Sequence, residues 1–389
     1  IKDIDAYGKR VLVRADLNVP LEDGRISDDT RIKACLPTLR YLIEKSASVI
    51  LCSHLGRPKG KVVAGLRLDP VADRLSKLLG RQVKKASDCI GSEVQAAIGD
   101  LGAGEILLLE NTRFHPEEKN NDPDFAKALA RHAEIFVNDA FAAAHRAHAS
   151  TEGVAHYLPA VAGLLMEREI ETLSRVVEHP EHPLVAILGG AKVSDKVGVI
   201  EKLLETADSL LIGGAMANIF LKSKKIDVGK SPVEREGIEV AGRILEQAAD
   251  KISLPVDCLI VKGEISADSE RRVVSVDEIP TDWIIADIGP KTLDLFKEKL
   301  KSARMVVWNG PPGVFEKEPF SKGTMQLARE LAGLDAATIV GGGDTGAAVA
   351  QAGVTDKMTH VSTGGGAFLE FLEGKDLPGI AALENKYAP

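Results

Sequence analysis

The chain has 389 residues, of which 44% are hydrophobic and 27% are charged. This balance argues against a wholly disordered chain, and the length is sufficient for two or three domains whose cores need neither disulfides nor a structural metal. The net charge of −8 argues against a protein that coats nucleic acid, and no apolar run reaches the roughly 18 residues of a transmembrane helix.

The N-terminus and the cysteines predict the compartment. The segment Ile1–Gly8 is charged and lacks the hydrophobic region of a secretory signal. The cysteines form no C-x-x-C pair; they are Cys35, Cys52, Cys89 and Cys258. We therefore expect free, buried thiols in a cytoplasmic protein. We also expect a monomer that binds neither nucleic acid nor a membrane.

Short apolar runs recur along the chain and alternate with segments of helical spacing. Runs of β-branched residues and leucine, bounded by turn residues, are typical of buried parallel strands. The runs are Val11–Val13, Val49–Cys52, Ile106–Leu109, Ile135–Val137, Leu184–Leu188, Leu210–Ile212, Cys258–Val261, Ile284–Ala286, Met305–Trp308, Thr338–Val340 and His360–Ser362. Between them, Ile32–Lys45 and Pro70–Leu79 have the apolar spacing of amphipathic helices. This alternation predicts βαβ units that wind into parallel sheets with helices on both faces.

One amphipathic segment separates two series of these units. Residues 162–177 place leucine, isoleucine and valine at helical spacing, and the following His179–Pro183 ends the helix because proline cannot continue it. The sequence therefore predicts an α/β protein with two doubly wound parallel-sheet (Rossmann-like) domains, joined by a hinge helix at 162–178.

Basic residues follow four successive runs of the first half, whose net charge is +1 against −9 for residues 166–389. They are Arg14, Arg57, Arg113 and Arg146. In open α/β sheets ligands bind beyond the carboxyl ends of the strands, and the planar fork of arginine suits carboxylate and phosphate oxygens. Because like charges repel, folding alone does not explain this clustering. The pattern predicts a site for a small, multiply charged anion.

Each neighbouring residue also has a simpler explanation. Arg31 could pair with Asp28 or Asp29, and His54 could be an ordinary core or surface histidine. His145 and His148 lie three apart, but no cysteine or glutamate at ligand spacing accompanies them, which argues against structural zinc.

Glycines follow most apolar runs of the second half. They are Gly189–Gly190, Gly213–Gly214, Gly289, Gly310, Gly341–Gly343 and Gly364–Gly366. Glycine lets backbone N–H groups approach a ligand closely, and the N-terminus of a helix favours phosphate. Tight turns explain some of these glycines, but the two triple-glycine turns favour a phosphate site.

Three charged features accompany the glycines. Lys192 and Lys196 lie four residues apart at a predicted helix start, so they are expected to share one helical face. Glu316 ends the loop that begins at Asn309 and could accept hydrogen bonds from ribose. Asp344 opens a helix and could reach a magnesium ion carried by nucleotide phosphates. A solvated lysine pair and an exposed glutamate are the simpler alternatives.

Two familiar nucleotide motifs give little support. The chain has no G-x-x-x-x-G-K-[ST] loop, and Gly341, Gly343 and Gly346 match G-x-G-x-x-G, a weak dinucleotide signal. The carboxylate of Asp344 would repel a pyrophosphate unless a cation intervened. An NAD-dependent oxidoreductase and a non-enzymatic anion-binding protein are the alternative functions.

From about residue 3 to its end, the chain resembles the phosphoglycerate kinase family. The segments that carry the resemblance are Arg14–Pro20, Ser53–Pro58, Glu110–Glu118, Asn138–Ser150, Ile187–Lys196, Trp308–Glu316, Gly341–Thr345 and Ser362–Ala367. The resemblance implies reversible transfer of a phosphoryl group from 1,3-bisphosphoglycerate to ADP, with Mg²⁺ bound to the nucleotide, when two domains close about a hinge. It also implies a phosphoglycerate-binding domain at 1–161, a nucleotide-binding domain at 179–372, and a C-terminal segment, 373–389, that packs back on the first domain.

The resemblance carries site residues over by motif. Implied substrate contacts are Asp16, Leu17, Asn18, Arg31, His54, Leu55, Gly56, Arg57, Arg113 and Arg146. Implied nucleotide contacts are Lys196, Gly213, Gly214, Asn309, Pro311, Val314, Glu316, Gly342, Gly343, Asp344 and Thr345, with Asp344 reaching the metal through the Mg-nucleotide. The expected catalytic groups are Arg31, Lys192, Lys196, Gly343 and Gly366. A carboxylate or a diphosphate oxygen attacks without losing a proton, so no general base is expected.

Overall fold

The structure is a computed structural model that describes residues 1–384, except for the side chain of Asp195. The chain divides into two compact units. The first unit comprises Ile1–Glu171 and Asp376–Pro389, and the second comprises Thr172–Lys375. Of the C-terminal segment predicted to pack on the first domain, residues 385–389 lie outside the described residues.

The first unit contains a six-stranded parallel sheet. Its strands and those of a small hairpin are β1 (Arg10–Ala15), β2 (Leu21–Glu22), β3 (Arg25–Ile26), β4 (Ser48–Cys52), β5 (Val83–Lys85), β6 (Ile106–Leu108), β7 (Ile135–Asp139) and β8 (Ala160–Ala162). The helices are α1 (Thr30–Glu44), α2 (Asp69–Leu79), α3 (Ser92–Gly99), α4 (Pro116–Lys119), α5 (Pro123–Ala130) and α6 (Leu164–Glu178), within which the division between units falls. The sheet order is β5-β6-β4-β1-β7-β8, and β2 pairs antiparallel with β3.

Both faces of this sheet are covered, which explains why its strands are apolar throughout. In β1, Val11 and Val13 join a core cluster that includes Leu39 of α1, whereas Leu12 joins a cluster that includes Phe125 of α5. Successive side chains of a strand point to opposite faces. The sheet is therefore doubly wound, as the runs of the first half predict.

The second unit contains two sheets. Its strands are β9 (Leu184–Leu188), β10 (Ser209–Ile212), β11 (Ile252–Ser253), β12 (Asp257–Lys262), β13 (Arg271–Ser275), β14 (Trp283–Ile288), β15 (Met305–Asn309), β16 (Ala337–Gly341) and β17 (His360–Val361). Its remaining helices are α7 (Val197–Thr206), α8 (Gly214–Ser223), α9 (Arg235–Ala248), α10 (Pro290–Leu300), α11 (Lys322–Leu331), α12 (Gly343–Gln351) and α13 (Gly365–Leu372). A parallel sheet has the order β11-β10-β9-β15-β16-β17, and an antiparallel sheet has the order β13-β12-β14.

The antiparallel sheet corrects part of the sequence prediction. Cys258–Val261 and Ile284–Ala286 are predicted as parallel strands, but they lie in β12 and β14, which pair antiparallel. The chain between them forms β13 instead of a crossover helix, and the first three residues of β13 are exposed. A short apolar run has the same appearance in either kind of sheet, so periodicity could not distinguish them.

The first turn of α6 is fixed by a buried carboxylate. Asp139, at the end of β7, accepts hydrogen bonds from the backbone N–H groups of Leu165 (3.0 Å) and Met166 (3.3 Å). A Cβ atom on Gly163 would lie 2.1 Å from the Asp139 carboxylate, so this position requires glycine. Burial raises the pKa of Asp139 to about 7, although these hydrogen bonds act in the opposite direction.

The C-terminal helix α14 (Pro378–Glu384) belongs to the first unit. The Gly379 N–H donates to the carbonyl of Ala144 at 2.8 Å. The Asn138 amide donates to the carbonyls of Gly379 (3.0 Å) and Thr151 (3.3 Å). Asn138 therefore connects β7, the loop that follows it and the C-terminal helix.

Two further predictions concern the whole chain. Cys35, Cys52, Cys89 and Cys258 are free and buried, as predicted. Among residues 1–384, no helix combines the length and apolarity needed to cross a membrane.

Replacing Asn138 with Ala is expected to destabilise the first unit by about 1–3 kcal/mol, because two buried carbonyl groups lose their donor. Urea unfolding followed by circular dichroism measures the change. Asn120→Ala is the control, since Asn120 is exposed, and should shift stability by less than about 0.5 kcal/mol. Equal unfolding curves for Asn138→Ala and the control would contradict this role.

Candidate functional sites

Arg14 lies at the carboxyl end of β1 and is completely buried. Its Nε donates to the hydroxyl of Ser150 at 2.8 Å, and its Nη2 lies 2.9 Å from Nδ1 of His54, which follows β4. The ends of β1 and β4 and the loop after β7 therefore meet at this edge of the first sheet.

Arg31, in the first turn of α1, pairs with the buried carboxylate of Asp16. The alternative partners have other contacts. Asp29 pairs with Arg74 and Lys33, and Asp28 accepts hydrogen bonds from Thr30. Arg31 is therefore directed towards the loop after β1, and the simpler explanation of a local pair does not hold.

Two loops, those after β1 and β6, hold the segment that follows β4. The Gly56 N–H donates to the side chain of Asn18 at 2.8 Å, and Arg113 donates to the Gly56 carbonyl at 2.9 Å. The Leu55 N–H donates to Asn111 at 3.1 Å, and the Leu17 N–H donates to the hydroxyl of Ser53 at 2.9 Å. Because the side chains of Leu17 and Leu55 are buried, these two residues shape the site through their backbone.

The electrostatics of this edge are strongly positive. Burial, together with Arg14 and Arg113, lowers the pKa of His54 well below 6.5 and that of His148 to about 3. Burial and the charge of Arg14 lower the pKa of Arg113 to about 10. Burial also lowers the pKa of Lys119, and Arg113, Arg146 and Arg57 act in the same direction. The charged arginines lie close enough to disfavour further positive charge on the neighbouring basic groups, as expected of a site that an anion neutralises.

Two buried polar atoms at this edge have no hydrogen-bond partner among the described residues. They are Nε of Arg113 and Nδ1 of His148. Leaving such groups unpaired costs free energy, so they are suited to a polar ligand. The exposed side chains of Arg57 and Arg146 add mobile charge nearby.

Part of this site is absent from the predicted set of contacts. Arg14 and Lys119 contribute charge and His148 contributes an unpaired ring nitrogen, although only their position after a strand or beside a basic residue could have indicated it. Glu118 is fully buried and accepts a hydrogen bond from the hydroxyl of Ser150 at 2.6 Å. No pattern in the sequence distinguishes Glu118 from an exposed helical glutamate.

A group of metal-ligating side chains lies elsewhere in the first unit. In the described part of the chain, ligand atoms of Asp88, Cys89 and His115 lie within 4.8 Å of one another. His115 Nε2 lies 2.6 Å from the Asp88 carboxylate, and the Cys89 thiol donates to the carbonyl of Glu110. Burial raises the pKa of Cys89 well above 9, which disfavours the thiolate that a metal needs. His115 and Asp88 therefore pair with each other, and the Cys89 thiol pairs with a backbone carbonyl.

In the second unit, Lys196 lies beside the carboxyl ends of β9 and β15. Its ammonium donates to the Gly189 carbonyl at 2.6 Å and to the Asn309 side-chain oxygen at 2.8 Å. The Asn309 amide in turn donates to the carbonyl of Gly341, at the end of β16, at 2.9 Å. Asn309 thus fixes a cation across the ends of three adjacent strands.

The expectation that Lys192 and Lys196 share one helical face is wrong. Ser194–Lys196 forms a 3₁₀ turn, α7 begins only at Val197, and Lys192 precedes both. Lys192 is exposed. Hydrogen bonds from Ser194 are the main cause of the lowered pKa of Glu234, and the charge of Lys192 makes a smaller contribution. Spacing of four residues could not reveal where the helix begins.

Several glycines allow protein loops, and not only a ligand, to approach one another. A Cβ atom on Gly213 would lie 2.6 Å from Pro312 Cβ. Gly214 has φ +64°, and a Cβ there would lie 2.9 Å from the carbonyl oxygen of Pro311. The Val314 N–H donates to the carbonyl of Ala286 at 2.8 Å. The loop 309–316 is therefore packed tightly between the start of α8 and β14.

Two helix N-termini meet beside this loop. Gly342 (φ +95°) precedes α12, Gly364 precedes α13, and a Cβ atom on Gly365 would lie 3.5 Å from Gly342 Cα. A Cβ on Gly343 would contact nothing within 4 Å, so its backbone faces open space. The unpaired N–H groups and the dipoles of both helices favour an anion here. A Cβ on Gly342 would lie only 3.0 Å from the side-chain nitrogen of Asn309, and the side-chain oxygen of Asn309 accepts from Lys196.

The remaining predicted nucleotide residues surround these N-termini. Thr345 is buried, and its hydroxyl accepts a hydrogen bond from the Gly310 N–H at 2.7 Å. Asp344 and Gly366 are exposed in the first turns of α12 and α13, and Glu316 is exposed at the end of its loop. A carboxylate beside two helix N-termini suits the magnesium ion of a bound Mg-nucleotide.

The G-x-G-x-x-G match has a packing explanation. A Cβ atom on Gly341 would lie 2.3 Å from the ring of Phe368, and one on Gly346 would lie 3.5 Å from Val361. Gly341 therefore allows α13 to pack closely against β16, whereas a Cβ on Gly346 would make only an ordinary contact with β17. Packing thus explains the first glycine of the motif without a dinucleotide.

Comparisons with known proteins agree on one family. A family model described as phosphoglycerate kinase matches residues 1–375. Over 389 residues the chain is 58% identical to the phosphoglycerate kinase of Moorella thermoacetica and 56% identical to that of Pelotomaculum thermopropionicum, with 99% of each chain covered. Among solved structures, phosphoglycerate kinase from Coxiella burnetii matches with a TM-score of 0.88 at 45% identity, covering 98% of both chains. The similarity thus extends through both units.

Acidification from pH 7 to pH 5 is expected to destabilise the wild-type protein more than His148→Gln. Folded His148 stays neutral because its pKa is about 3, whereas the unfolded side chain takes up a proton near 6.5, so its contribution to stability is lost as pH falls. Between pH 7 and pH 5, the wild-type protein should lose about 1–2 kcal/mol more unfolding free energy than His148→Gln, as measured by urea unfolding. Asp139, with its raised pKa, acts in the opposite direction but equally in both proteins.

His179→Gln is the control for this measurement, because His179 is exposed. It should follow the wild-type dependence on pH. An identical dependence for His148→Gln would contradict the assignment of a lowered pKa to His148.

Proposed function

Because the chain belongs to the phosphoglycerate kinase family, we propose that its two sites divide the reactants of that enzyme between them. The chain is a phosphotransferase with a carboxyl group as acceptor, and it transfers phosphate reversibly between 1,3-bisphosphoglycerate and ADP. The alternative of an NAD-dependent oxidoreductase finds no support.

The first unit is proposed to bind the phosphoglycerate. The supporting observation is the cluster of basic groups at the carboxyl edge of its sheet, where burial and the charge of Arg14 lower the pKa values of Arg113 and His148. The proposed contacts are Asp16, Leu17, Asn18, Arg31, His54, Leu55, Gly56, Arg57, Arg113 and Arg146. Asp16 orients Arg31, and the backbone of Leu17 and Leu55 shapes the loops.

The second unit is proposed to bind ADP or ATP as the magnesium complex. The supporting observation is the meeting of two helix N-termini near Lys196 and Asn309. The proposed contacts are Lys196, Gly213, Gly214, Asn309, Pro311, Val314, Glu316, Gly342, Gly343, Asp344 and Thr345. Asp344 is proposed to contact the magnesium ion that the nucleotide carries.

The chemistry requires alignment and charge compensation. A carboxylate oxygen of 3-phosphoglycerate, or a terminal phosphate oxygen of ADP, attacks without deprotonation, so no general base is needed. Arg31 and Lys196 are proposed to neutralise the moving phosphoryl group, and the N–H groups of Gly343 and Gly366 to donate to its oxygens. Lys192 is the supporting cation, and its exposed position leaves it free to move towards the nucleotide.

The assignment of domains follows from these sites. We propose 1–161 with 373–389 as the phosphoglycerate domain, 179–372 as the nucleotide domain and 162–178 as the hinge helix. We propose a monomer that works in the cytoplasm, which the free buried cysteines support because such thiols suit a reducing compartment.

Replacing Lys196 or Arg31 with Ala is expected to reduce turnover about 10²–10³-fold, because each change removes a cation from the transferring phosphoryl group. Formation of ATP from 1,3-bisphosphoglycerate and ADP is measured in a coupled assay. Lys202→Ala and Arg40→Ala are the controls, because both remove one charge from a side chain outside the proposed sites. Near-normal turnover of either site variant, with its fold intact by circular dichroism, would remove that residue from the catalytic role.

Binding of both reactants is expected to reduce the radius of gyration, because donor and acceptor bound on separate units must meet for in-line transfer. Small-angle X-ray scattering is compared for the free protein, for each single complex, and for the complex with 3-phosphoglycerate and Mg-ADP. Compaction should require both ligands, so an unchanged radius in the double complex would contradict closure.

A further inference from the structure

A chain of hydrogen bonds leads from His54 into the buried interior of the first unit. Its last two residues, Ser150 and Glu118, are not among the proposed phosphoglycerate contacts. It runs from Glu118 through Ser150 to Arg14 and then to His54, and all four residues are at least 95% buried. We propose that Glu118 and Ser150 are positioning residues that orient Arg14 and thereby fix the tautomer in which His54 presents an Nε2–H donor to the phosphoglycerate anion. The last step rests on the proposed function of His54.

The direction of each hydrogen bond follows from the chemistry of Arg14. A guanidinium group can only donate, so Nδ1 of His54, 2.9 Å from Nη2 of Arg14, must accept. The pKa of His54 lies well below 6.5, so the ring is neutral near pH 7 and carries one proton. That proton must reside on Nε2, because the partner of one ring nitrogen determines the state of the other. Among the described residues, Nε2 has no hydrogen-bond partner of its own.

The hydrogen bonds of Ser150 and Glu118 determine where Arg14 lies. The hydroxyl oxygen of Ser150 accepts from Nε of Arg14 at 2.8 Å, so its single proton goes to the Glu118 carboxylate at 2.6 Å. The same carboxylate accepts from the Ser150 N–H at 3.0 Å and from the hydroxyl of Thr112 at 3.2 Å. Glu118 therefore acts only as an acceptor. Its buried carboxylate is joined to Arg14 through the single hydroxyl of Ser150.

The tautomer matters because the ligand is an anion. Nε2–H donates to a phosphate or carboxylate oxygen, whereas an unprotonated Nε2 would present a lone pair and repel it. The anion is bound in this way in the ground state as well as in the transition state, so loss of the donor should change KM for phosphoglycerate more than kcat. Glu118 and Ser150 contact neither reactant, and their effect passes through Arg14.

Nitrogen-15 NMR of the ligand-free wild-type protein tests the tautomer directly and independently of any variant. At pH 7 we expect Nδ1 of His54 to have the shift of an unprotonated nitrogen and Nε2 that of a protonated one. Protonated Nδ1 in the wild-type protein would overturn the proposal.

Ser150→Ala tests the positioning, because it breaks the link between Glu118 and Arg14. We expect a mixture of both His54 tautomers, a KM for 3-phosphoglycerate raised about tenfold, and kcat and the KM for Mg-ATP changed less than about threefold. Thr112→Val is the matched control, because it removes a hydrogen bond to the same carboxylate but leaves Ser150 and Arg14 joined. It should keep the wild-type tautomer and KM.

Glu118→Gln is the second variant, since it replaces an acceptor by an amide that cannot accept all three donors. An unchanged tautomer in Ser150→Ala and Glu118→Gln would overturn the positioning role. A mixed tautomer with an unchanged KM for 3-phosphoglycerate would instead overturn the link to binding, and would show that the proposed contact of His54 with substrate fails while the positioning of the ring holds.

Discussion

Both sites depend on one constraint, the parallel alignment of strands, which brings the carboxyl ends of several strands to one edge of a sheet. In the first unit this constraint holds Arg14, Arg113 and two histidines together, and burial, together with the charge of Arg14, lowers the pKa of Arg113 and of both histidines. The apolar core on both faces of the sheet supplies the stability that the cluster itself lacks. Such a site is poorly satisfied without an anion.

The second unit uses partial charges for a similar purpose. Two helix N-termini and a single lysine are brought to the ends of β9, β15 and β16, and Asn309 connects them. Backbone N–H groups need no side chain, so the loops can pack within a few ångströms of one another, as Gly213 and Gly214 do against the prolines of loop 309–316. The arrangement leaves open space beside Gly343 at the start of α12, because a Cβ atom there would contact nothing within 4 Å.

The positions of the strand-end motifs could be predicted from the sequence, because parallel strands are continuous apolar runs and the residues that follow them share an edge. What could not be predicted depends on contacts distant in the chain. Arg31 pairs with Asp16 instead of its neighbours, and Lys192 lies outside the helix that its spacing suggested. The antiparallel sheet could not be predicted, because the apolar runs in β12 and β14 look like those of the parallel strands. Glu118 escaped because nothing in its own segment shows that Ser150, 32 residues later, lies against it.

The docking of α14 has a consequence for how the protein is made. Residues 1–171 of the first unit are synthesised before the second unit, yet Ala382 and Leu383, which follow the second unit in the sequence, pack in a core cluster of the first unit, and Asn138 donates to Gly379. The second unit can therefore fold before α14, which completes the core of the first unit, has been synthesised. Until α14 has been synthesised, that apolar face stays open and is available to chaperones.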